Sequence, residues 1–227
     1  MAEDQQKPPE SPAYGFRSEH EHRLPATIAI LLAVFIYTLL PKRLILGPRY
    51  LLPALELIIL IAHTASNPMK ITRESKNIRA LSLGLIGLVN LANASNLALL
   101  SYTLVVGGST SGRSLIYAAV AIWVTNVMVF GLWFWELDRG GPSARCSNLR
   151  RNPDFLFPQM TSPGTTIGKW VPTFMDYLYV SFTNALAFSP TDTMPLTPMA
   201  KFLMLVQSMV SVVTVVLVGA RAVNILH

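Results

Sequence analysis

Gln207, Ser211, Thr214, Val218 and Arg221 are spaced four, three, four and three residues apart, which places them on one side of an α-helix. The residues between them are mainly Val, Met and Leu. A polar stripe on such a helix faces water or bonds a neighbouring helix. Facing water, it presents an amide, two hydroxyls and, at one end, the Arg221 guanidinium. The competing use is back-bonding of Ser and Thr to their own helix, with Arg221 snorkelling to the membrane edge. Upstream, Ala187, Phe188, Ser189, Pro190, Thr191 and Asp192 form a polar turn. Its hydroxyls, with that of Thr193, and the Asp192 carboxylate are groups that can replace an ion's hydration shell.

Other polar residues sit in apolar surroundings. Glu56 lies in an apolar run, where a carboxylate is costly and handles protons or ions, or else pairs near an interface. Pro53, three residues earlier, favours the interface reading. Asn90, Asn93 and Asn96 with Ser95 share most of one helix side, suited to gluing helices together or, in a small transporter, to holding a substrate. His20 and His22 flank Glu21, a pattern that can touch a metal but reads as solvated tail. Gly107-Gly108-Ser109-Thr110 is a tight turn and lacks the Gly-Lys-Ser/Thr of a phosphate loop. There is no HExxH, CxxC pair or GxSxG. No catalytic residues, metal or cofactor are expected, and the chain is not read as an enzyme.

The elements that must carry these residues are helices in lipid. Of 227 residues, 52% are hydrophobic and 13% charged, well below the about 25% charged residues of soluble domains. Long uncharged runs point to an all-α, multi-pass integral membrane protein. The net charge of +6 sits mostly in short loops, where it sets topology and does not indicate nucleic-acid binding. The single cysteine, Cys146, excludes an intrachain disulfide. Residues 1–23 read as a disordered polar tail without signal-peptide features. Residues 24–112 form a three-span membrane region, with spans near 24–40, 50–65 and 78–107. A fourth span covers 114–135, and Trp133-Phe134-Trp135 near its end resembles an interfacial aromatic belt. A polar loop, 136–170, follows.

The last fifty residues resemble the pore of tetrameric potassium channels. Leu178-Tyr179-Val180-Ser181-Phe182 matches the start of that motif without gaps. Asp192, Pro195, Thr197-Pro198 and Lys201 fall on the family's Asp, Pro, Thr-Pro and Arg. Where the family carries TVGYG, this chain carries Ala187-Phe188-Ser189-Pro190-Thr191, and both glycines are gone. The resemblance implies a pore-like module over 113–227: outer helix 114–135, loop 136–170, pore helix and turn 171–198, inner helix 199–226. It further implies a homotetramer in the plasma membrane that passes inorganic ions, with the stripe on the inner helix lining the path. Ser211 stands where many members have a hinge glycine. No span repeats Arg or Lys every third residue, so voltage sensing is not expected.

Segment 171–188 has two readings. As a sixth span it puts both termini on one side and satisfies the positive-inside rule. As a re-entrant pore helix beginning at Phe174 it leaves five spans and places the basic loops at Lys70 and Arg145 outside. The resemblance favours the second. The expected function is passive ion conduction through a non-potassium-selective filter; the alternatives are a non-conducting membrane scaffold or a small transporter using Glu56 and the Asn90/Asn93/Asn96 face.

Overall fold

The computed structural model describes residues 21–22, 24–45, 48, 50–66, 70–71, 76–106, 112–146, 152–161, 170–187 and 192–225. They form α1 (Leu24–Leu39), α2 (Leu51–Ser66), α3 (Lys76–Val106), α4 (Gly112–Leu137), α5 (Pro142–Arg145), α6 (Pro158–Thr161), α7 (Phe174–Ala187) and α8 (Pro198–Ile225). Two antiparallel ribbons join them: β1 (Glu21–His22) with β2 (Lys70–Ile71), and β3 (Phe155–Leu156) with β4 (Met194–Pro195). Three stretches, Arg79–Val106, Gly112–Gly140 and Pro198–Arg221, are long and apolar enough to cross a bilayer, and α1 is a shorter apolar helix. This is the composition of an integral membrane protein.

Local chemistry sets the helix boundaries. α1 carries Pro25 in its first turn and stops just before Pro41, because proline tolerates a helix start but not an interior. α7 opens with the Asp176 carboxylate reaching back: the Thr173 N–H and hydroxyl both donate to Asp176 Oδ2, at 2.7 and 2.8 Å, which ties the first turn down. α8 has Thr197 before Pro198, and the Ala200 N–H donates to Thr197 Oγ1 at 3.3 Å. α4 ends where Arg139, Gly140 and Gly141 take φ of 54°, 83° and 93°. A Cβ at Gly141 would also meet the Glu136 carbonyl oxygen at 2.8 Å. Only glycine makes that reversal without strain.

α4 is the central helix. Of its most apolar window 61% is buried, against 33% for α3 and 22% for α8. Buried side chains gather at its two ends. One cluster joins Ala26 and Ala29 of α1, Ile86 of α3, Phe130 and Phe134 of α4, Phe155, Tyr177 of α7 and Leu203 of α8. The other joins Tyr37 of α1, Leu100 of α3 and Leu115 and Ile122 of α4, with Leu217 of α8 against them. α1, α3, α4 and α8 contribute to both; α7 contributes to the first alone.

α7 runs antiparallel to α4. Phe174 meets Trp135 edge-on at 5.9 Å, Leu178 lies on Gly131, and Ser181 bonds the Val127 carbonyl. A Cβ on Gly131 would lie 3.3 Å from Leu178 Cα, so the glycine sets the approach of the two backbones. α8 is antiparallel to α4 as well, with Gln207 and Ser211 at Asn126 and Leu217 in one cleft with Leu115. Hence α7 and α8 start at the same end and run side by side. With 14 residues, α7 is about 21 Å long at roughly 1.5 Å per residue.

Two regions differ from the sequence reading. Trp135 is 5% exposed and donates its indole N–H to Glu21 Oε2 at 2.9 Å, so it is an internal anchor and not part of a lipid-facing belt. The long loop, where described, folds into α5, α6 and β3 and closes one end of the bundle. The end of the N-terminal tail joins that closure through β1.

Candidate functional site

The polar groups gather in two places along α7 and α8. The first is the closed end, here called the cap. Arg145, its side chain fully buried, donates from Nε to Glu21 Oε1 and from Nη2 to Glu21 Oε2 at 2.8 Å. Its Nη1 donates to the carbonyls of Trp135 and Asp138 at 2.7 and 2.8 Å. The guanidinium lies 5.2 Å from the Tyr177 ring centroid, a cation–π arrangement. Burial alone lowers the Arg145 pKa, but Tyr177, Glu21 and Asp138 outweigh it and hold it above the ordinary value, so the group stays charged.

Around that pair, Tyr177 Oη donates to Asp138 Oδ2 at 2.6 Å. The Asp154 N–H donates to Asp138 Oδ1 at 2.7 Å. Asp154 in turn accepts from the Arg139 N–H at 2.9 Å and from Thr197 Oγ1 at 2.7 Å, and its carbonyl accepts from the Leu196 N–H at 2.8 Å. Asp138 and Asp154 therefore tie the end of α4 to the first turn of α7 and to the start of α8.

The second place is a joint midway along α4. Gln207 Nε2 donates to Ser181 O and Oγ at 2.8 and 2.6 Å, and its Oε1 accepts from Asn184 Nδ2 at 2.8 Å. Asn184 Nδ2 also reaches the Met204 carbonyl, and Ser208 Oγ donates to Asn184 Oδ1. Ser181 Oγ donates to the Val127 carbonyl at 2.6 Å. Asn126 Nδ2 donates to the Gln207 carbonyl at 3.2 Å and to Ser211 Oγ at 3.0 Å. Gln207, Ser211 and Thr214 are 0%, 0% and 1% exposed. Thr214 back-bonds to Val210 O at 2.7 Å.

This placement departs from the expectation of a stripe facing a shared axis. Within one chain the stripe turns toward α4 and α7, because unpaired amides and hydroxyls in an apolar bundle are stabilised by facing one another. The side of α8 left open carries Phe202, Leu205, Met209, Val212, Val213 and Val216. Val218 packs in the second core cluster. Arg221 lies against Leu104 of α3 and Leu115 of α4, so it too leans inward. Of the filter turn, Ala187 ends α7 and Asp192 is exposed; Phe188, Ser189, Pro190 and Thr191 lie outside the described residues. Thr193 is buried.

The transporter candidates do not share partners. Asn93 Nδ2 donates to the Ile122 carbonyl at 3.2 Å. The Asn96 amide nitrogen reaches the Leu44 carbonyl at 2.6 Å and the Ala92 carbonyl at 3.2 Å. These two thus glue α3 to α4 and to the turn after α1, while Asn90 is half-buried. Glu56 is buried in α2, and its Oε2 has no hydrogen-bond partner among the described residues. Pro53 is buried with it, so the residue is not at a wetted helix start. His20 lies outside the described residues, and among those described no three His, Cys, Asp or Glu side chains gather.

Sequence reasoning passed over Glu21, Asp138, Asp154 and Tyr177. Apart from Arg139 and Arg145 beside Asp138, their partners lie 15 to 124 positions away, so no local spacing announces them. Thr197 had a signal, a Thr-Pro pair ahead of an apolar run. Comparison of the chain with protein-family models, curated proteins and solved structures found no match.

Proposed function

We propose that the chain is a five-span membrane protein, spanning with α1, α2, α3, α4 and α8, in which α7 enters the membrane and returns, and that an assembly of identical chains conducts ions passively. The observation that carries this reading is that α7 and α8 start at one end, tied to the same two aspartates, and run in the same direction. At about 21 Å, α7 is short of the roughly 30 Å a bilayer core requires, as α1 and α2 are at about 24 Å, so it is the starting end shared by α7 and α8 that sets α7 apart from the spans. The polar turn 187–192 separates its inner end from the restart at Thr197. A pore helix, a constriction and an inner helix would follow one another in this order, and the reading accords with the potassium-channel resemblance, which supplies the number four.

The chemistry of the constriction follows. The C-terminal end of α7 carries partial negative charge within its last turn and favours cations there. Arg221 leans toward α3 and α4 and adds no positive ring on an axis. The open face of α8 is apolar, so the shared path below the turn would be gated by dewetting, not by charge. The turn itself lacks the glycines that let successive carbonyls point inward, and Pro190 has a fixed φ and no N–H. The protein should therefore distinguish potassium from sodium by less than about tenfold, or about 1.4 kcal/mol. Bi-ionic reversal potentials of the full chain in planar bilayers test this; strong potassium preference would overturn the account of the filter.

One observation favours a second reading. Gln207, Ser211 and Thr214 are spent on partners inside the chain, as in a scaffold that keeps the pore fold and conducts nothing. Absence of current under all ionic conditions, from protein that is folded and assembled, selects that reading.

A further inference from the structure

The end of the molecule opposite the cap differs from it in charge. The described segments that meet there, 40–45, 112–115 and 217–221, contain Lys42, Arg43, Arg113 and Arg221 and no Asp or Glu. Glu56, the nearest carboxylate along the chain, is buried in α2. Arg113 opens α4 and Arg221 lies in the last turns of α8. Because those helices are antiparallel neighbours, the two cations stand at one level, and Arg113 and Lys42 are exposed.

Beside Arg221 a small cleft runs between α3, α4 and α8. It is lined by Leu104, Leu115, Ala119, Leu217 and Val218, with Arg221 as its one charged residue. The Arg221 Nε is buried and has no hydrogen-bond partner among the described residues. A guanidinium presents several donors in a planar fork that matches a phosphate, and here part of that fork is withdrawn from water with no acceptor among the described residues. Leaving it so is costly, and a phosphate seated on the fork would remove that cost.

We infer that Arg221 and this cleft form a binding site for an anionic phospholipid, the phosphate on the guanidinium and an acyl chain along the apolar lining. The combination selects the ligand. A free anion would use the arginine and leave the apolar wall bare, and a neutral lipid would use the wall and gain little from the cations around it. An anionic lipid satisfies both, and clustered basic residues at a membrane edge attract such headgroups. The inference stands whether or not the chain conducts.

Native mass spectrometry of the full chain, titrated with phosphatidylglycerol or phosphatidylcholine of the same acyl chains, tests it. Phosphatidylglycerol should bind about tenfold more tightly, and Arg221→Gln should bring the two within about twofold. Lys201→Gln, an exposed cation at the capped end, should leave the preference unchanged. Equal retention of both lipids by the wild type, or full preference surviving in Arg221→Gln, overturns the site. Displacement of phosphatidylglycerol by excess inorganic phosphate also overturns it, in favour of a free-anion site. Should Arg221→Gln fail to fold, Leu217→Trp, which fills the cleft, must lower phosphatidylglycerol retention; unchanged retention counts against the lipid.

Discussion

Gln207 is the residue on which α4, α7 and α8 meet, and its side chain is fully buried. Gln207→Leu removes an acceptor from Asn184 and a donor from Ser181. Side-chain hydrogen bonds between helices in membranes contribute about 0.6 kcal/mol on average and up to about 1.7, so the loss should be about 1–3 kcal/mol. Denaturant titration in mixed micelles measures it. Thr214→Val, by contrast, gives up only a bond to its own helix and should change stability by less than about 0.5 kcal/mol. Arg145→Met is expected to be the most damaging single change described here, at about 3–5 kcal/mol, because it leaves Glu21 buried and uncompensated. Adding Glu21→Gln should recover part of the loss, and a double-mutant cycle reads the coupling. Glu56→Gln should leave any ion flux unchanged, since α2 packs on α1 and α3 and lies outside the proposed pore module; abolished uptake in liposomes would restore the transporter.

At the scale of elements, much was legible in the sequence. Proline punctuates both ends of α1 and the start of α8, and glycine the end of α4; the apolar runs between such marks are long enough to be unambiguous. Pro172 ahead of Phe174 marks the start of α7 where it is observed. What a single sequence leaves open is the neighbour. The stripe at Gln207, Ser211 and Thr214 is visible from its spacing, but one face of hydrogen-bonding groups suits water and a second helix equally. Asn126, Ser181 and Asn184, which settle its orientation within the chain, belong to other segments. Trp135 misled for the same reason, because an indole at a helix end satisfies its N–H in a headgroup layer or on Glu21 alike. The approach of α7 to α4 gives the element-scale prediction. Gly131→Val would press a branched side chain into Leu178 Cα, which is backbone and cannot turn aside. The two helices should separate at a cost of about 1–3 kcal/mol. A lowered melting temperature with a weakened cysteine cross-link engineered between the helices would show it.

For the molecule as a whole, the capped end and the opposite end behave differently. At the cap, Arg145 and Arg139 are buried and paired with Glu21 and Asp138, so two of the basic residues there are neutralised by the fold. At the opposite end the cations of the short connections face no exposed carboxylate nearby in sequence. Mass measurement in nanodiscs should give four copies, and a clean monomer would leave only the scaffold. The cap also bears on how the chain is made. Asp154 is synthesised before both α7 and α8, yet its carboxylate bridges Arg139, behind it, to Thr197, ahead of it. Ser181 and Asn184, likewise, wait for Gln207. While the ribosome is still translating the last helix, α7 therefore holds a half-made set of polar partners, and its contacts with α4 and the cap must keep it in place without α8. A nascent chain arrested before residue 197 should expose α7 to proteolysis, and one released after 211 should protect it, so the final helix to emerge acts as the latch for the segment made before it.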